Sequence, residues 1–596
     1  MAAAVLGVER SVSGRRWRSR LADDRAGLAL AQRLDLPEIV GRVLAARGVG
    51  PEDAEGFLNP TLRRLLPDPL ELRDMDAAID RLVRALAGGE PVGIFADYDV
   101  DGATAAALIK RFVESVGGRA LVYIPDRLGE GYGPNLPALL DLARQGARLI
   151  VTVDCGTTAH GPLAAAGEAG LEIIVVDHHL AEPRLPGALA VVNPNRLDEP
   201  GRFGELAAVG VAFLLVVGMN RALRERGWFA ARPEPDLRRW LDLVALGTVC
   251  DVVPLTGVNR ALVAQGLKVL ARRGNVGLAA LADAAALDER PDTYHAAFIL
   301  GPRINAGGRV GRSDLGARLL STEDENEARG LARELDGLNA ERRAIEGGVL
   351  EAALAQLERR GDALGPVPMA VGEGWHPGVI GIVASRLVER FHRPVFVVAL
   401  EGATGKGSGR SMRGVDLGAS VTAARQAGLL INGGGHPMAA GFTVEAARLC
   451  ELEDFLAARL GPVVSGLGLG PSLGIDGTLS VAGATPELVA TLERVGPFGA
   501  GNPEPRFAFT DGRVVRSEPA GERHVRCILA GERGGRLKAI AFRVLDTAVG
   551  RVLMQSSGAP LLIAGHLRPD RFRGRDGVQL FIDDVAPARP GSVRPV

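Results

Sequence analysis

The chain has 596 residues, of which 47% are hydrophobic, and this length and apolar content predict a multidomain globular protein. Its 70 Lys/Arg and 71 Asp/Glu residues leave a formal net charge of −1, which excludes a global positive field as the means of attracting nucleic acid. Four cysteines without a Cys-x-x-Cys pair argue against a disulfide framework, and no apolar run reaches the roughly 18 residues of a membrane helix, so we expect a cytoplasmic location without membrane association.

Residues 1–75 are predicted to form a helical and mobile N-terminal segment. The first 36 residues contain a basic run with no apolar stretch after it, and we expect them to be poorly packed. The following residues indicate short helices that Pro60, Pro67 and Pro69 interrupt.

Strands and helices alternate from residue 92 onward, within a predicted domain at 76–320. The predicted strands are 92–96, 120–124, 149–153 and 172–176. This alternation is typical of an α/β fold with a parallel sheet and helices on both faces. Ligands of such sheets bind outside the carboxyl ends of the strands. We therefore expect functional side chains where these strands end.

Three carboxylates follow the first predicted strand: Asp97, Asp99 and Asp101, ahead of an apolar helix that we expect to open at Gly102. A helix N-cap accounts for one of them but not for three. Carboxylates at this spacing repel one another. Because hard oxygen ligands suit Mg²⁺ or Mn²⁺, the trio predicts a metal site.

Later segments add further candidate ligands. Asp154 follows the third strand, and Asp177, His178 and His179 follow the fourth. A lone histidine is more often a core or surface residue, but two in a row after a buried strand favour one metal ligand and one substrate-facing ring, with Asp177 orienting a ring. Asp251 lies in an apolar segment, where an unpaired carboxylate is costly to bury.

Residues 321–361 indicate one long connecting helix. Apolar residues recur at helical spacing, and Thr322 with Glu325 predicts a capping box. At about 1.5 Å per residue, the helix would be about 50 Å long, enough to link two domains.

A second α/β domain is predicted at 362–465. Its glycine-rich stretches, 405–411 and 432–436, are each interpreted as a tight turn. Together with Arg410 and His436 they also fit nests of backbone N–H groups that bind phosphate.

The motifs around the candidate ligands resemble those of the DHH phosphoesterase superfamily. The matching stretches are Asp97-Tyr-Asp-Val-Asp-Gly, Val153-Asp154-Cys-Gly, Asp177-His178-His179 and Gly247-Thr-Val-Cys-Asp251. Within this superfamily the chain is most similar to single-strand-specific DNA exonucleases, over residues 40–590. Further matches lie at 125–133, 301–306, 374–379 and 433–441.

The resemblance implies which residues act. Two Mn²⁺ or Mg²⁺ ions would be held by Asp99, Asp101, Asp154, His178 and Asp251, with Asp154 bridging them. Asp97 would lie in or beside the ligand shell, and His179 would act next to the metals. Such an ion pair hydrolyses phosphodiester bonds by activating water and neutralising charge. The second domain resembles the DHH-associated domain, which implies DNA contacts by Arg127, Arg303, Asn305, Arg309, Ser408, Arg410, Gly434, Gly435 and His436.

Residues 466–590 change to a β pattern. A short helix at 486–494 precedes strands at 513–516, 524–529, 537–542, 560–567 and 579–582, which suits an OB-like barrel. Residues 501–596 contain 16 Lys/Arg against 10 Asp/Glu. A solvated basic face is one interpretation. A groove for single strands, with Phe542, Phe572 and Phe581 to stack bases, is the favoured one.

The resemblance implies a monomeric exonuclease that removes mononucleotides from the 5′ end of single-stranded DNA in recombination and repair. It also implies single-strand-binding protein and a helicase as partners. Two alternatives stay open: a superfamily phosphodiesterase for short oligonucleotides or cyclic dinucleotides, and a non-catalytic DNA-binding scaffold. Dependence of cleavage on polymer length tests the first alternative, and metal-dependent turnover tests the second.

Overall fold

The structure, a computed structural model, describes residues 3–127, 129–467, 470–556, 558–570 and 577–588. The chain forms two compact units. The two-sheet unit consists of residues 67–253 and 265–468, and the barrel unit consists of residues 1–66, 254–264 and 469–596.

The described helices and strands follow in chain order. The α-helices are α1 (Asp24–Leu34), α2 (Glu38–Ala46), α3 (Ala54–Leu58), α4 (Leu62–Leu65), α5 (Met75–Ala87), α6 (Val100–Ser115), α7 (Leu136–Arg144), α8 (His160–Glu168), α9 (Ala208–Glu225), α10 (Leu241–Cys250), α11 (Gly257–Leu270), α12 (Val276–Ala284), α13 (Gly301–Val310), α14 (Leu315–Ser321), α15 (Glu325–Glu358), α16 (Ile380–Phe391), α17 (Leu417–Gln426), α18 (Leu449–Gly466), α19 (Pro486–Glu493) and α20 (Ala548–Gln555). The β-strands are β1 (Arg16–Ser19), β2 (Val92–Ala96), β3 (Ala120–Tyr123), β4 (Leu149–Val153), β5 (Glu172–Val176), β6 (Ala190–Val192), β7 (Met369–Glu373), β8 (Val395–Glu401), β9 (Thr404–Arg410), β10 (Asn432–His436), β11 (Ala439–Glu445), β12 (Ser472–Ile475), β13 (Gly477–Leu479), β14 (Phe507–Ala520), β15 (His524–Ala530), β16 (Arg536–Ala541), β17 (Pro560–Asp570) and β18 (Gly577–Pro587).

The first sheet of the two-sheet unit is parallel throughout, with strand order β3-β2-β4-β5-β6. Its central strands β2 and β4 are buried along their whole length, which explains their continuous apolar sequence. The predicted α/β architecture is confirmed here. The order places the carboxyl ends of β2, β4 and β5 side by side, where ligand-binding residues are expected.

The second sheet corrects the interpretation of the glycine-rich stretches as turns. Its strand order is β10-β11-β9-β8-β7. Residues 405–410 of the first stretch lie in β9, and the stretch 432–436 forms β10. A Cβ atom at Gly407 would lie 2.2 Å from the ring of Phe442, and one at Gly409 would lie 2.3 Å from the ring of Phe396. The glycines therefore make room for aromatic rings that cover the sheet.

Helix α15 is the predicted long helix, but its N-terminus differs from the prediction. The helix has 34 residues and continues through Gly347 and Gly348. Asp324, not Thr322, is the N-cap, because its carboxylate accepts hydrogen bonds from the amides of Asn326 and Glu327. The hydroxyl of Thr322 instead donates to Glu327.

The barrel unit contains the predicted OB barrel. Strands β14, β15, β16, β18 and β17 pair in that order, and the pairing of β14 with β17 closes the cylinder. Helix α20 lies in the chain between β16 and β17. Phe572, one of the three predicted stacking residues, lies outside the described residues. Among the described helices, none combines the length and the apolar character that crossing a bilayer requires.

The expectation that residues 1–36 are poorly packed is wrong for the part that the structure describes. Strand β1 pairs in parallel with β12, and the side chain of Trp17 is fully buried. Its indole N–H donates to a carboxylate oxygen of Asp584 at 3.0 Å. No local pattern indicates this packing, because both partners of the N-terminal residues belong to the far end of the chain.

Candidate metal centre

Three acidic residues lie at neighbouring strand ends of the parallel sheet. Asp97 follows β2, Asp154 follows β4 and Asp177 follows β5. The backbone N–H of Asp97 donates to Val153, and that of Asp154 donates to Val176, so each acid continues the sheet for one residue. Asp154 has a left-handed backbone conformation with φ of 61°, which turns the chain sharply into the following loop. The strand ends thus bring the three carboxylates together, as the sequence predicts.

Asp99 and Asp101 are fixed by helix N-termini. Helix α6 begins at Val100, two residues earlier than predicted, and the Asp99 carboxylate caps it by accepting from the amides of Asp101 and Gly102. The Asp101 carboxylate accepts from the first amides of α9, those of Ala208 at 2.6 Å and Val209 at 2.9 Å. The positive ends of two helices therefore stabilise negative charge at this site.

His178 presents an imidazole nitrogen to three carboxylates. Its Nε2 lies 3.3 Å from Oδ1 of Asp154, 3.7 Å from Oδ2 of Asp251 and 3.9 Å from Oδ2 of Asp101. This buried nitrogen has no hydrogen-bond partner among the described residues, and the same holds for Oδ2 of Asp251 and Oδ1 of Asp97. Buried polar atoms are almost always hydrogen-bonded, so these orphaned atoms are candidate metal ligands.

The donor atoms form two groups that would suit metal ions. Asp97, Asp99 and Asp154 offer three carboxylate oxygens, and Asp101, His178 and Asp251 offer two carboxylate oxygens and a ring nitrogen. Within each group the ligand atoms lie within 4.8 Å of one another, and Asp154, His178 and His179 form a third, overlapping group at the same spacing. The contact between Asp154 and His178 connects the two sets. A shell rich in carboxylate oxygens fits Mn²⁺ or Mg²⁺. The residues present therefore fit a pair of such cations.

Crowded carboxylates dominate the electrostatics of the centre. Burial, and then the nearby charge of Asp99, raise the pKa of Asp101 to about 7. Burial together with Asp101 and Asp99 raises the pKa of Asp251 to about 9, and burial and four neighbouring acids place the pKa of Asp154 well above its usual range. Without cations these carboxyl groups resist ionisation, because their negative charges repel one another in a buried site. Bound cations would stabilise the ionised carboxylates.

The two histidines have different environments. Burial, and then the charge of His179, lower the pKa of His178 to about 4, which leaves a neutral imidazole that can bind a metal. Burial opposes protonation of His179, but its hydrogen bond to Asp177 outweighs this and raises its pKa to about 9. The Nδ1 of His179 lies 2.8 Å from Oδ1 of Asp177. His179 is therefore a cation, one-third exposed at the open side of the centre.

Sequence reasoning missed three polar residues at the site. The hydroxyl of Tyr132 donates to the carbonyl of Asp154 at 3.1 Å and lies 3.2 Å from Nδ1 of His179. The side chains of Asn193 and Asn195 donate to the carbonyls of His179 and His178. Asn193 directly follows β6, so the rule of strand ends would have found it had that short strand been recognised.

Arginines form a cationic patch beside the metal centre. The guanidinium of Arg127 lies 4.9 Å from the ring of Tyr98, between Asp97 and Asp99 in the chain. Arg309 donates to the carbonyl of Gly378, and Arg410 donates to the hydroxyl of Ser408 at 3.0 Å. Burial, then repulsion by Arg127 and other arginines, lowers the pKa of Arg309 to about 9. Such a group of cations favours an anion in the space that they share.

The patch also includes the start of a helix. Gly381 lies in the first turn of α16, and a Cβ atom there would be 2.8 Å from Nη2 of Arg410 and 3.1 Å from Oγ of Ser408. Amides of a first helical turn attract anions. Arg410, Ser408 and this helix terminus therefore form a candidate anion-binding surface.

Three further predicted DNA contacts, Gly434, Gly435 and His436, lie on strand β10 and differ in the space around them. Strand β10 is an edge strand, and Gly435 has no room for a side chain because a Cβ atom would lie 2.4 Å from the carbonyl oxygen of Ala439. Gly434 has open space around it. The exposed ring of His436 stacks on that of His179 with centroids 6.1 Å apart.

Two predicted contacts on α13 are less available to substrate. Arg303 is bound by Asp336 at 2.9 Å and donates to the carbonyl of Ile299. Asn305 lies half-buried on the same helix.

Comparisons with known proteins match these features. The DHH family, N-terminal domain, matches residues 91–248, the DHHA1 domain matches 365–461, and the RecJ OB domain matches 475–584. The chain is 40% identical over 567 residues to "Single-stranded-DNA-specific exonuclease RecJ" of Dickeya dadantii, covering 93% of this chain and 96% of the relative. It is 38% identical over 594 residues to the protein of the same name from Salmonella typhimurium, covering 96% and 99%. A crystal structure of RecJ in complex with Mn²⁺ from Thermus thermophilus superimposes with a TM-score of 0.78 at 30% identity, covering 96% of this chain and 79% of that one.

Proposed function

This chain belongs to the RecJ family of single-stranded-DNA-specific exonucleases, and we propose that it removes mononucleotides from the 5′ end of single-stranded DNA. The observation that carries this proposal is the set of orphaned donor atoms at the candidate metal centre, next to a patch of arginines. The acidic donors suit divalent cations, and the arginines suit a phosphate. The two features together fit hydrolysis of a phosphodiester at a chain end.

We assign the metal ligands as Asp97, Asp99, Asp101, Asp154, His178 and Asp251. Bound Mn²⁺ or Mg²⁺ ions supply water activation and charge neutralisation for phosphodiester hydrolysis. The 3.3 Å distance between Oδ1 of Asp154 and Nε2 of His178 supports a role for Asp154 in both donor groups. Asp177 holds the ring of His179 and keeps it protonated, so that the exposed N–H of His179 can donate to a phosphate oxygen.

The arginine patch gives a physical reason for cleavage from the 5′ end. Arg127, Arg309, Arg410 and Ser408 would bind a terminal 5′-phosphate, which carries more negative charge than a phosphodiester. A strand anchored by this terminal group presents its first phosphodiester to the metal centre. Gly434, Gly435 and His436 would contact the same nucleotide through backbone N–H groups and the exposed ring.

An end-labelled strand tests the proposed activity. A long single strand with a 5′ label is incubated with Mn²⁺, with Mg²⁺ and with EDTA. We expect labelled mononucleotide as the first product, and only with metal. Cleavage of dinucleotides without cleavage of the long strand would show that the protein is a phosphodiesterase for small substrates. Metal-dependent binding of DNA without turnover would show that it is a non-catalytic DNA-binding scaffold.

Replacing Arg410 with glutamine removes a cation from the patch and is expected to raise KM for 5′-phosphorylated strands about tenfold. One charged hydrogen bond to phosphate is worth about 1.5–3 kcal/mol. The variant should also lose part of the preference for strands with a 5′-phosphate over strands with a 5′-hydroxyl. Steady-state kinetics on both kinds of strand measure the effect.

Arg413 is exposed and close to Arg410 in sequence, so Arg413→Gln is the matched control. If Arg410→Gln weakens both kinds of strand equally, the arginine binds the backbone and not the terminal phosphate.

The barrel unit carries an aromatic surface that would bind bases. Phe542 is 49% exposed, its ring lies 5.6 Å from that of Phe581 and 5.0 Å from that of His524, and Arg568 lies 4.8 Å from the Phe581 ring. Exposed rings beside a guanidinium are typical of platforms on which bases of a single strand stack.

Substituting Phe542 with alanine should weaken binding of long single-stranded DNA by about 1–3 kcal/mol. Fluorescence anisotropy with labelled oligothymidylate measures this loss. Val515, also exposed on a barrel strand, provides the control substitution Val515→Ala. Equal losses in the two variants would contradict a stacking role for Phe542.

We further propose a cellular setting in DNA recombination and repair, with a monomeric protein acting beside single-strand-binding protein and a helicase. The cysteines form no disulfide among the described residues, which fits a reducing, DNA-containing compartment such as the cytoplasm. The proposed functional domains are 76–320 for catalysis, 321–361 as connecting helix, 362–465 for substrate binding and 466–590 for nucleic-acid binding, after the N-terminal segment 1–75.

A further inference from the structure

The barrel unit contains an arginine-lined groove on the side of the N-terminal strand. Its volume is about 450 Å³, and the residues that line it include Arg18, Arg20 and Arg47 with Ser472, Gly474 and Pro503. None of the residues lining it is acidic or aromatic. The groove is formed where β1 pairs with β12, with Arg18 opposite Gly474.

One buried carboxylate holds two of these arginines in place. Asp476 has a fully buried side chain, and its two oxygens lie 2.6 Å from Arg20 and 2.6 Å from Arg47. Asp476 also accepts from the backbone N–H of Arg506. One negative charge therefore faces two guanidinium groups, which leaves the groove with an excess of positive charge.

Arg47 is the more deeply buried of the two arginines that Asp476 holds. Its side chain is only 3% exposed, and its Nη2 donates to the carbonyl of Pro503. The Nε of Arg47 is buried and has no hydrogen-bond partner among the described residues. This nitrogen is sealed from solvent, so Arg47 contributes to the groove through its positive charge and not through a free N–H group.

The spacing of the arginines indicates an extended polyanion. Successive residues of a strand point to opposite faces, and Trp17 points into the core, so β1 directs Arg18 to the outer face. Residues i and i+2 of a strand are about 6.6 Å apart, a distance comparable with that between neighbouring phosphates of an extended single strand. Arg20 follows at this distance and lies against Gly474, where a Cβ atom would be 2.6 Å from its Nε.

We propose that this groove binds the phosphodiester backbone of single-stranded DNA, as a track separate from the aromatic surface of the barrel. The proposal rests on the proposed function, because it takes the same strand as ligand. Without aromatic residues the groove has nothing to stack on bases, so its contribution is independent of base identity.

The test compares charge variants of Arg18 on strands with and without bases. Arg18 is exposed, and no hydrogen bond or ion pair of its side chain is found within the described residues, so replacing it leaves Asp476 paired. We expect Arg18→Glu to weaken binding about tenfold at low salt, equally for oligothymidylate and for an abasic deoxyribose-phosphate strand. The slope of log Kd against log salt should fall by about 0.7 for each phosphate that the variant no longer neutralises. Arg18→Lys should keep most of the affinity.

Two controls make the outcome specific. Arg494→Glu reverses an exposed charge of the barrel unit that does not line the groove and should leave both affinities unchanged. Phe542→Ala should weaken binding of oligothymidylate but not of the abasic strand. An unchanged affinity and an unchanged salt slope in Arg18→Glu would overturn the proposal. A competition experiment offers a second test: if an oligoglutamate peptide displaces the labelled abasic strand at a lower concentration than the unlabelled abasic strand does, the groove prefers an acidic peptide and the proposal is wrong. Metal-dependent cleavage by the unaltered protein tests the proposed function separately, so the two failures are distinguishable.

Discussion

Replacing Asp154 with asparagine is expected to lower the turnover of single-stranded DNA by about a thousandfold or more, which corresponds to about 4 kcal/mol of transition-state stabilisation. Asp154 is 2% exposed, belongs to one group of donor atoms and lies 3.3 Å from Nε2 of His178, which belongs to the other. An amide has nearly the same shape but no charge, so it weakens both proposed cation sites at once. Binding of DNA should persist, because the arginine patch and the barrel unit stay intact.

Rapid-quench cleavage assays with Mn²⁺ and with Mg²⁺ measure the turnover, and anisotropy with the same strand measures binding. Asp288→Asn, at an exposed position outside the site, is the matched control. Turnover of Asp154→Asn within tenfold of the parent would contradict a shared role for this carboxylate.

The second large effect is expected for Asp177→Asn, which should lower turnover or metal affinity by about 10–100-fold. Oδ1 of Asp177 accepts from the amides of His178 and His179 and from the ring of His179, while Oδ2 accepts from the amide of Thr157. An asparagine has only one acceptor oxygen at this position. Its N–H₂ group would face an N–H donor that the carboxylate now accepts from, and this contact is repulsive. The loop that carries both histidines then loses its fixed geometry.

Titration calorimetry with Mn²⁺ separates the two causes of this loss. A weaker metal affinity indicates displacement of His178, and unchanged affinity with lower turnover indicates an effect on His179. Asp177→Glu keeps the charge but lengthens the side chain, and it should recover part of the activity only if charge matters more than position. Full activity of Asp177→Asn would exclude an orienting role.

The sequence predicts much of the metal centre because its chemistry follows local patterns. Asp97, Asp154 and Asp177 each end a buried strand, and parallel strands that are neighbours bring their ends together. Asp251 was indicated by the cost of burying its charge. In each case the signal lies within a few residues of the side chain concerned.

Features that depend on distant partners could not be predicted in this way. The glycines of β9 fit beneath the rings of Phe396 and Phe442, and no local pattern distinguishes such a strand from a turn. Tyr132 reaches His179 from a loop 47 positions earlier. Packing over such separations is decided by tertiary contacts, which override local preference.

The pairing of β1 with β12 has a consequence for the order of events during synthesis. Translation delivers the N-terminal strand first, but Asp584, which accepts the indole N–H of Trp17, emerges 567 residues later. The whole two-sheet unit can leave the ribosome and fold in the interval, since domains fold as units while the chain grows. Until then Trp17 and the arginine-bearing edge of β1 remain exposed to solvent. A protein truncated before β12 would leave both exposed permanently.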